Sequence, residues 1–231
     1  MNIEDTFYAE RFDSSDLARK LYAENPGVVF IPNLLKLKVR EILFEEIQQN
    51  RKVFVKAKEN YLRAEQRFFT YYFGWNESGS NESQDFPLIT QFSQAYDQLS
   101  KELVNIAELS QKRVSSTGIH VYWKDKKYGL SPHRDESPAQ LIAIFVLDGY
   151  SPFYVADDHE LKTNRKTFEA KPGSVILMRG PINAAERDLT KKGPNYNTHL
   201  DPRPIHCVGP VEKDRTVVVL RHVDESLSEV K

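Results

Sequence analysis

The sequence predicts an α+β protein in which helices come first and a double-sheet β core follows. Two observations carry this expectation. Apolar residues at helical spacing are confined to the first half, at Leu17, Leu21 and Tyr22, at Val39, Ile42, Leu43 and Ile47, and from Ile89 to Ile106. After Arg113 the chain changes to short β-branched and apolar runs punctuated by Gly, Pro and Asp, the pattern of a sandwich or barrel. With 231 residues, 40% apolar and 11% aromatic, one domain with a sizeable core is expected over 1–231, mainly helical over 1–115 and a β core over 116–231.

Each element has a local reason. Ser14 or Ser15 can cap a first helix, which Asn25-Pro26-Gly27 stops. Val28-Val29-Phe30-Ile31, between Gly27 and Pro32, reads as a strand. A long helical pattern starts near Val39 and extends to about Tyr72, where Phe68, Phe69, Tyr71, Tyr72, Phe73 and Trp75 crowd its end. Those aromatics suit either a helix end packed on the core or a wall beside a pocket. The polar stretch 77–84 reads as a loop. A helix from Pro87 to Lys112 follows, with Ile89, Phe92, Tyr96, Leu99, Leu103 and Ile106 on one face. Strands are then expected at 119–123, 141–147, 153–155, 167–170, 174–178, 205–208 and 215–221.

The composition narrows the function classes. A net charge of -1 gives no electrostatic case for a nucleic-acid partner. The single cysteine, Cys207, cannot form an internal disulfide and fits a reducing, cytoplasmic setting. The acidic N-terminus lacks the basic-then-apolar pattern of a signal peptide, and no membrane span is expected.

The chemistry centres on Pro132-His133-Arg134-Asp135. A His and an Asp two positions apart lie on one side of an extended strand, so an imidazole and a carboxylate can converge on one cation. A third ligand must come from elsewhere. His120, His159 and His199 read as surface or hydrogen-bonded residues. His206 opens a strand after the rigid Asp201-Pro202-Arg203-Pro204, 73 positions beyond His133 (206 minus 133), and a jelly roll can bring such a strand alongside the first. His222 is the competitor, on the opposite face of its strand from Arg215 and Arg221. Two His and one carboxylate suit non-haem Fe(II), with zinc the alternative metal. Arg215, Val217, Val219 and Arg221 share one strand face, and a guanidinium on an apolar inward face calls for an anion. A structural salt bridge or a dicarboxylate would each supply one.

With these residues in order, the sequence resembles the Fe(II)- and 2-oxoglutarate-dependent dioxygenases. His133-Arg134-Asp135, His206 and Arg215 look like that family's H-x-D, distal His and co-substrate Arg. The run from Tyr122 to Tyr128 before H-x-D, and Lys171-Pro172-Gly173 before an apolar strand, agree with it. The resemblance covers about 117–223. It implies a double-stranded β-helix (jelly-roll) core, Fe(II) on His133, Asp135 and His206, and 2-oxoglutarate and O2 as co-substrates. It further implies hydroxylation of an unactivated C–H with release of succinate and CO2. Asp135 occupies the place that halogenating relatives fill with a small residue, so halogenation is not expected.

Many branches have Ser or Thr two positions after the Arg. Here that place is Val217, which leaves Tyr122 or Tyr128 as second partner of the co-substrate, or Arg221 as the true anchor. A small-molecule substrate is expected, with Trp123, Arg179, Asn183 and Arg187 as candidate contacts. A non-catalytic jelly-roll binding module and a zinc hydrolase on the same three ligands are the other readings.

Overall fold

Strands from both halves of the sequence build the core of this computed structural model, which describes residues 1–57, 60–61, 64–74, 81–135, 138–191 and 196–224. In chain order the elements are α1 (Ile3–Thr6), α2 (Ser14–Ala18, continued by a π-helical turn over Arg19–Ala23), β1 (Val28–Ile31), α3 (Leu37–Gln49), β2 (Val55–Lys56), β3 (Asn60–Tyr61), β4 (Ala64–Glu65), β5 (Phe68–Gly74) and α4 (Pro87–Ile106). Then come β6 (Ser116–Tyr122), β7 (Leu130–His133), β8 (Ala139–Asp148), β9 (Ser151–Ala156), β10 (Lys166–Ala170), β11 (Val175–Arg179), α5 (Ala184–Asp188), β12 (Ile205–Val208) and β13 (Arg215–Val223).

The strands pair antiparallel in a seven-stranded sheet, ordered β1-β11-β8-β13-β6-β5-β2, and a four-stranded sheet, ordered β10-β9-β12-β7. β3 and β4 form a separate hairpin. One face of the large sheet packs on the small one through Ile142, Val146, Phe153, Val155, Ile176 and Val217. Its other face packs on α3 and α4, where Leu43, Ile47, Ile89, Phe92 and Tyr96 meet Phe145, Leu177, Val218 and Leu220. A strand covered on both faces has no polar side to present, which explains the unbroken apolar run of β8 and the complete burial of β6. This is the expected jelly-roll core with helices against one face.

Several boundaries differ from the sequence reading. Asp13, not Ser14 or Ser15, caps α2, its carboxylate accepting from the Asp16 amide at 3.0 Å. α3 ends at Gln49, and the stretch expected to stay helical to Tyr72 becomes strands instead. In β5 the residues alternate: Phe68, Thr70 and Tyr72 point toward the small sheet's side, while Tyr71 and Phe73 pack toward the helices. Aromatic residues favour the pleated surface, and pairing with β6 over the full length of β5 outweighs the helical spacing upstream. The first 115 residues therefore supply three strands of the large sheet, β1, β2 and β5. Residues 75–80, including Trp75 and half of the expected loop, lie outside the described residues. α4 stops at Ile106 rather than Lys112, with Glu108 in the left-handed region at φ 52. Its N-terminus is held by Glu46 of α3, whose two carboxylate oxygens accept from the Leu88 and Ile89 amides at 2.8 and 3.0 Å.

Asp97 on α4 accepts from the Val114 amide at 2.7 Å, and burial pushes its carboxyl up to about 6. The neighbouring His222 is fully buried and held down to about 4 by that burial, so it brings no compensating charge at neutral pH. A carboxyl raised above its ordinary 3.8 makes folding less favourable as pH climbs from about 4 through 6. Asp97→Asn keeps the acceptor and removes the charge. Urea unfolding is expected to show it more stable than wild type by about 1–2 kcal/mol at pH 7.5 and little changed at pH 4.

Candidate metal centre

Pairing of β12 with β7 sets His206 directly opposite His133, with ring centroids 4.3 Å apart. The separation in sequence is thus closed by two neighbouring strands of the small sheet. Asp135 lies two residues past the end of β7 and turns its carboxylate between the rings. Oδ1 is 3.8 Å from His133 Nε2 and Oδ2 is 3.4 Å from His206 Nε2. One ligand atom from each of the three falls within 4.8 Å of the other two.

The far ring nitrogens fix the tautomers. His133 Nδ1 donates to the Ser131 carbonyl at 2.9 Å, and His206 Nδ1 donates to the Pro204 carbonyl at 3.1 Å. Carbonyls only accept, so each Nδ1 carries its proton and each Nε2 turns toward Asp135. Burial, with His133 alongside, pushes His206 down to about 4. Burial works to raise the Asp135 carboxyl, but His206, His133 and Arg221 together hold it well below the usual range. Two imidazoles and one carboxylate, in this arrangement, are a donor set that fits Fe(II). His222 is excluded from it: its ring packs near Tyr96 and Asp97 on the helix side of the large sheet.

A polar brace holds both halves of the triad. Asp201 is buried and accepts twice from the Arg203 guanidinium, Nε to Oδ1 at 2.9 Å and Nη2 to Oδ2 at 2.6 Å, and from the Tyr196 hydroxyl at 2.8 Å. Arg203 Nη1 donates to the Asp135 carbonyl at 2.9 Å, and Arg134 Nε donates back to the Arg203 carbonyl at 2.9 Å. The segment that introduces His206 is thereby tied to the segment that carries Asp135. Asp201→Ala would strand buried guanidinium groups. It is expected to cost about 3 kcal/mol of stability in urea unfolding and about tenfold in metal affinity by titration calorimetry.

The triad opens into a cavity between the two sheets. The large sheet contributes His120, Tyr122, Ile142, Ile144, Arg215, Val219 and Arg221; the small sheet contributes Leu130, Phe153 and Val208. Arg215 is 0% exposed, and its Nε, Nη1 and Nη2 have no hydrogen-bond partner among the described residues. Its guanidinium stands 5.4 Å from the centroid of the Tyr122 ring. A buried cation with every donor idle is costly, and an incoming anion would relieve it. Arg221 lines the same cavity but is partly exposed.

Of the remaining expected site residues, Tyr122 lies in this cavity and the others do not line it. Tyr128 packs beside Ala156, Leu161 and Cys207. Trp123 meets Phe69 edge-on at 5.5 Å. Arg179 pairs with Glu186 and stacks on Tyr22, and Asn183 caps α5 by accepting from the Glu186 amide at 2.9 Å. Arg187 lies within α5. His120, read from the sequence as an ordinary histidine, lines the cavity, its ring stacked on Phe68 at 4.5 Å. Its place on β6, facing the same way as Tyr122, was the available signal.

No protein-family model matches the chain, and no curated protein matches it. Solved structures do. A prolyl hydroxylase from Trichoplax adhaerens, in complex with a hypoxia inducible factor oxygen degradation domain peptide fragment, aligns with TM-score 0.65 and 13% identity over 93% of this chain and 90% of that one. A full-length Neurospora crassa protein in complex with alpha-KG aligns with TM-score 0.60 and 12% identity, over 94% and 84%. An oxidoreductase of the 2OG-Fe(II) oxygenase family from Burkholderia pseudomallei aligns with TM-score 0.56 and 13% identity, over 91% and 90%. The first of these overturns the expectation of a small-molecule substrate, because a protein of this fold holds a peptide. At such identities the likeness is one of architecture: the chain has the jelly-roll fold of these 2-oxoglutarate and iron(II) oxygenase structures, with a His-Asp-His cluster inside it.

Proposed function

We propose that this protein is an Fe(II)- and 2-oxoglutarate-dependent oxygenase that hydroxylates a residue of a peptide or protein. The observation that carries the reading is Arg215, fully buried with its donors unpartnered among the described residues, in the same cavity as the triad. A zinc hydrolase would have no use for it.

In this reading His133, Asp135 and His206 hold Fe(II), and Arg215 receives the far carboxylate of 2-oxoglutarate through a bidentate contact. Tyr122 flanks that contact from the paired position on β6. Iron(II), 2-oxoglutarate and O2, when bound, supply an oxidant able to take a hydrogen atom from an unactivated C–H, with succinate and CO2 as by-products. The protein's own part is positional. Neutral imidazoles leave their Nε2 atoms free for the metal, while Ile142, Ile144, Phe153 and Val219 line an apolar wall that keeps water from the reacting centre. The peptide substrate is supported by the Trichoplax prolyl hydroxylase, which makes proline the first residue to test. Among the described residues no helix is long and apolar enough to cross a membrane.

Fe(II) and 2-oxoglutarate added together without oxygen are expected to give a weak visible charge-transfer band that neither gives alone. Slow succinate formation should follow on admitting air. Absence of both would overturn the proposal.

A further inference from the structure

Beyond helping to hold the Asp135 carboxyl low, one cation of the cavity has no part in binding iron or 2-oxoglutarate in this reading. Arg221 lies on the same face of β13 as Arg215 and lines the same space, yet its side chain has no hydrogen bond or ion pair among the described residues. Its guanidinium stands 5.9 Å from the centroid of the Tyr72 ring. That ring is itself held in place. The Tyr72 hydroxyl and His120 Nε2 are 2.8 Å apart, and Phe68 stacks on His120. Gly118 on β6 is opposite Tyr72, and a Cβ there would come within 2.7 Å of the ring and 3.1 Å of His120 Nε2. Only glycine lets Tyr72 lie across β6 as a platform for Arg221.

Charge decides what the platform is for. Among the described residues lining it, the cavity holds two guanidiniums, Arg215 and Arg221, against one carboxylate, Asp135. A dication and a dianionic co-substrate cancel each other, so the protein's surplus of one positive charge persists after loading. Arg215 is sealed, whereas Arg221 is partly exposed and reachable by a molecule entering the cavity.

We infer that Arg221, seated on Tyr72, selects the substrate by pairing with an aspartate or glutamate side chain close in sequence to the hydroxylated residue. This rests on the oxygenase reading for the identity of the reacting centre. The assignment makes the preferred substrate an acidic peptide segment and gives the Tyr72, His120 and Gly118 cluster the task of orienting one guanidinium.

The test uses fluorescein-labelled nine-residue peptides with a central proline and alanine elsewhere, each flanking position replaced in turn by Asp, Glu, Asn or Lys. Binding is read by anisotropy to protein loaded with Fe(II) and 2-oxoglutarate under anaerobic conditions. At one flanking position, Asp or Glu is expected to bind about tenfold tighter than Asn or Lys. Arg221→Met should abolish that preference, and Arg221→Glu should transfer it to Lys at the same position. No acidic preference, no binding of any peptide, or a preference that survives Arg221→Glu would overturn the inference. The charge-transfer band of Arg221→Met serves as the control. Its persistence shows a folded, co-substrate-competent site; its loss would assign Arg221 to 2-oxoglutarate and also overturn the inference. A wild-type protein without the band fails the oxygenase reading alone, since the charge reversal is still read on the same peptides.

Discussion

Asp135→Ala is expected to abolish Fe(II)-dependent succinate formation and to weaken metal binding by more than about 100-fold, because losing a group behind a ligand already costs about 10–100-fold. The physical reason lies in how the triad is assembled. His133 and His206 are cross-strand partners, but a pair of imidazoles 4.3 Å apart encloses a cation from one side only. The carboxylate of Asp135 closes the set, reaching toward both Nε2 atoms at 3.8 and 3.4 Å. It also brings the only formal negative charge among the described residues lining the cavity. Calorimetric titration with Mn(II), which tolerates air, checks the affinity without turnover. His206→Ala should behave alike, whereas His222→Ala, on the far side of the large sheet, should leave metal binding intact. Equal metal affinity in wild type and Asp135→Ala would remove the triad from the reading.

The parts of this site legible in the sequence are those whose chemistry is rare where it occurs. A His and an Asp two apart, a distal His after a Pro-rich segment and an Arg among valines all violate the apolar pattern of a core strand, and each violation is a signal. The neighbours that complete the cavity violate nothing. Tyr72 falls in an aromatic run with no polar alternation, because β5 buries aromatics on both of its faces, and a period of two cannot be seen when both faces are alike. The helical spacing of α3 therefore reads on into it. His120 reads as ordinary for the same reason, since its strand is buried throughout. Arg179 and Asn183 show the converse. An ion pair with Glu186 and an N-cap on α5 account for both, and neither local role differs in sequence from a contact to a ligand. Composition carries no sign of Arg221 either, because one residue lining a cavity does not shift the charge of 231.

Arg215→Met is expected to change two measurements in opposite directions. Affinity for 2-oxoglutarate should fall by at least about 100-fold, since removing one partner of a desolvated charge pair costs about 2–5 kcal/mol. Stability of the ligand-free protein should rise by about 1–4 kcal/mol, because methionine fills similar volume without a charge that burial penalises. Among the described residues the buried guanidinium has no hydrogen-bond partner to lose, and its aromatic contact, Tyr122, offers a ring face rather than an anion. Burial already pushes Arg215 below its usual pKa, the same penalty seen through protonation. Metal affinity should stay within about twofold of wild type, since Arg215 makes no hydrogen bond to any of the three ligands. Thermal unfolding with and without 2-oxoglutarate separates the effects: wild type should gain stability as the ligand saturates it, and the variant, already more stable, should gain nothing. A structural role would give the reverse sign, with the variant less stable and ligand binding untouched. The pairing of a lost ligand with a gained stability is what a cation held in reserve for an incoming carboxylate requires.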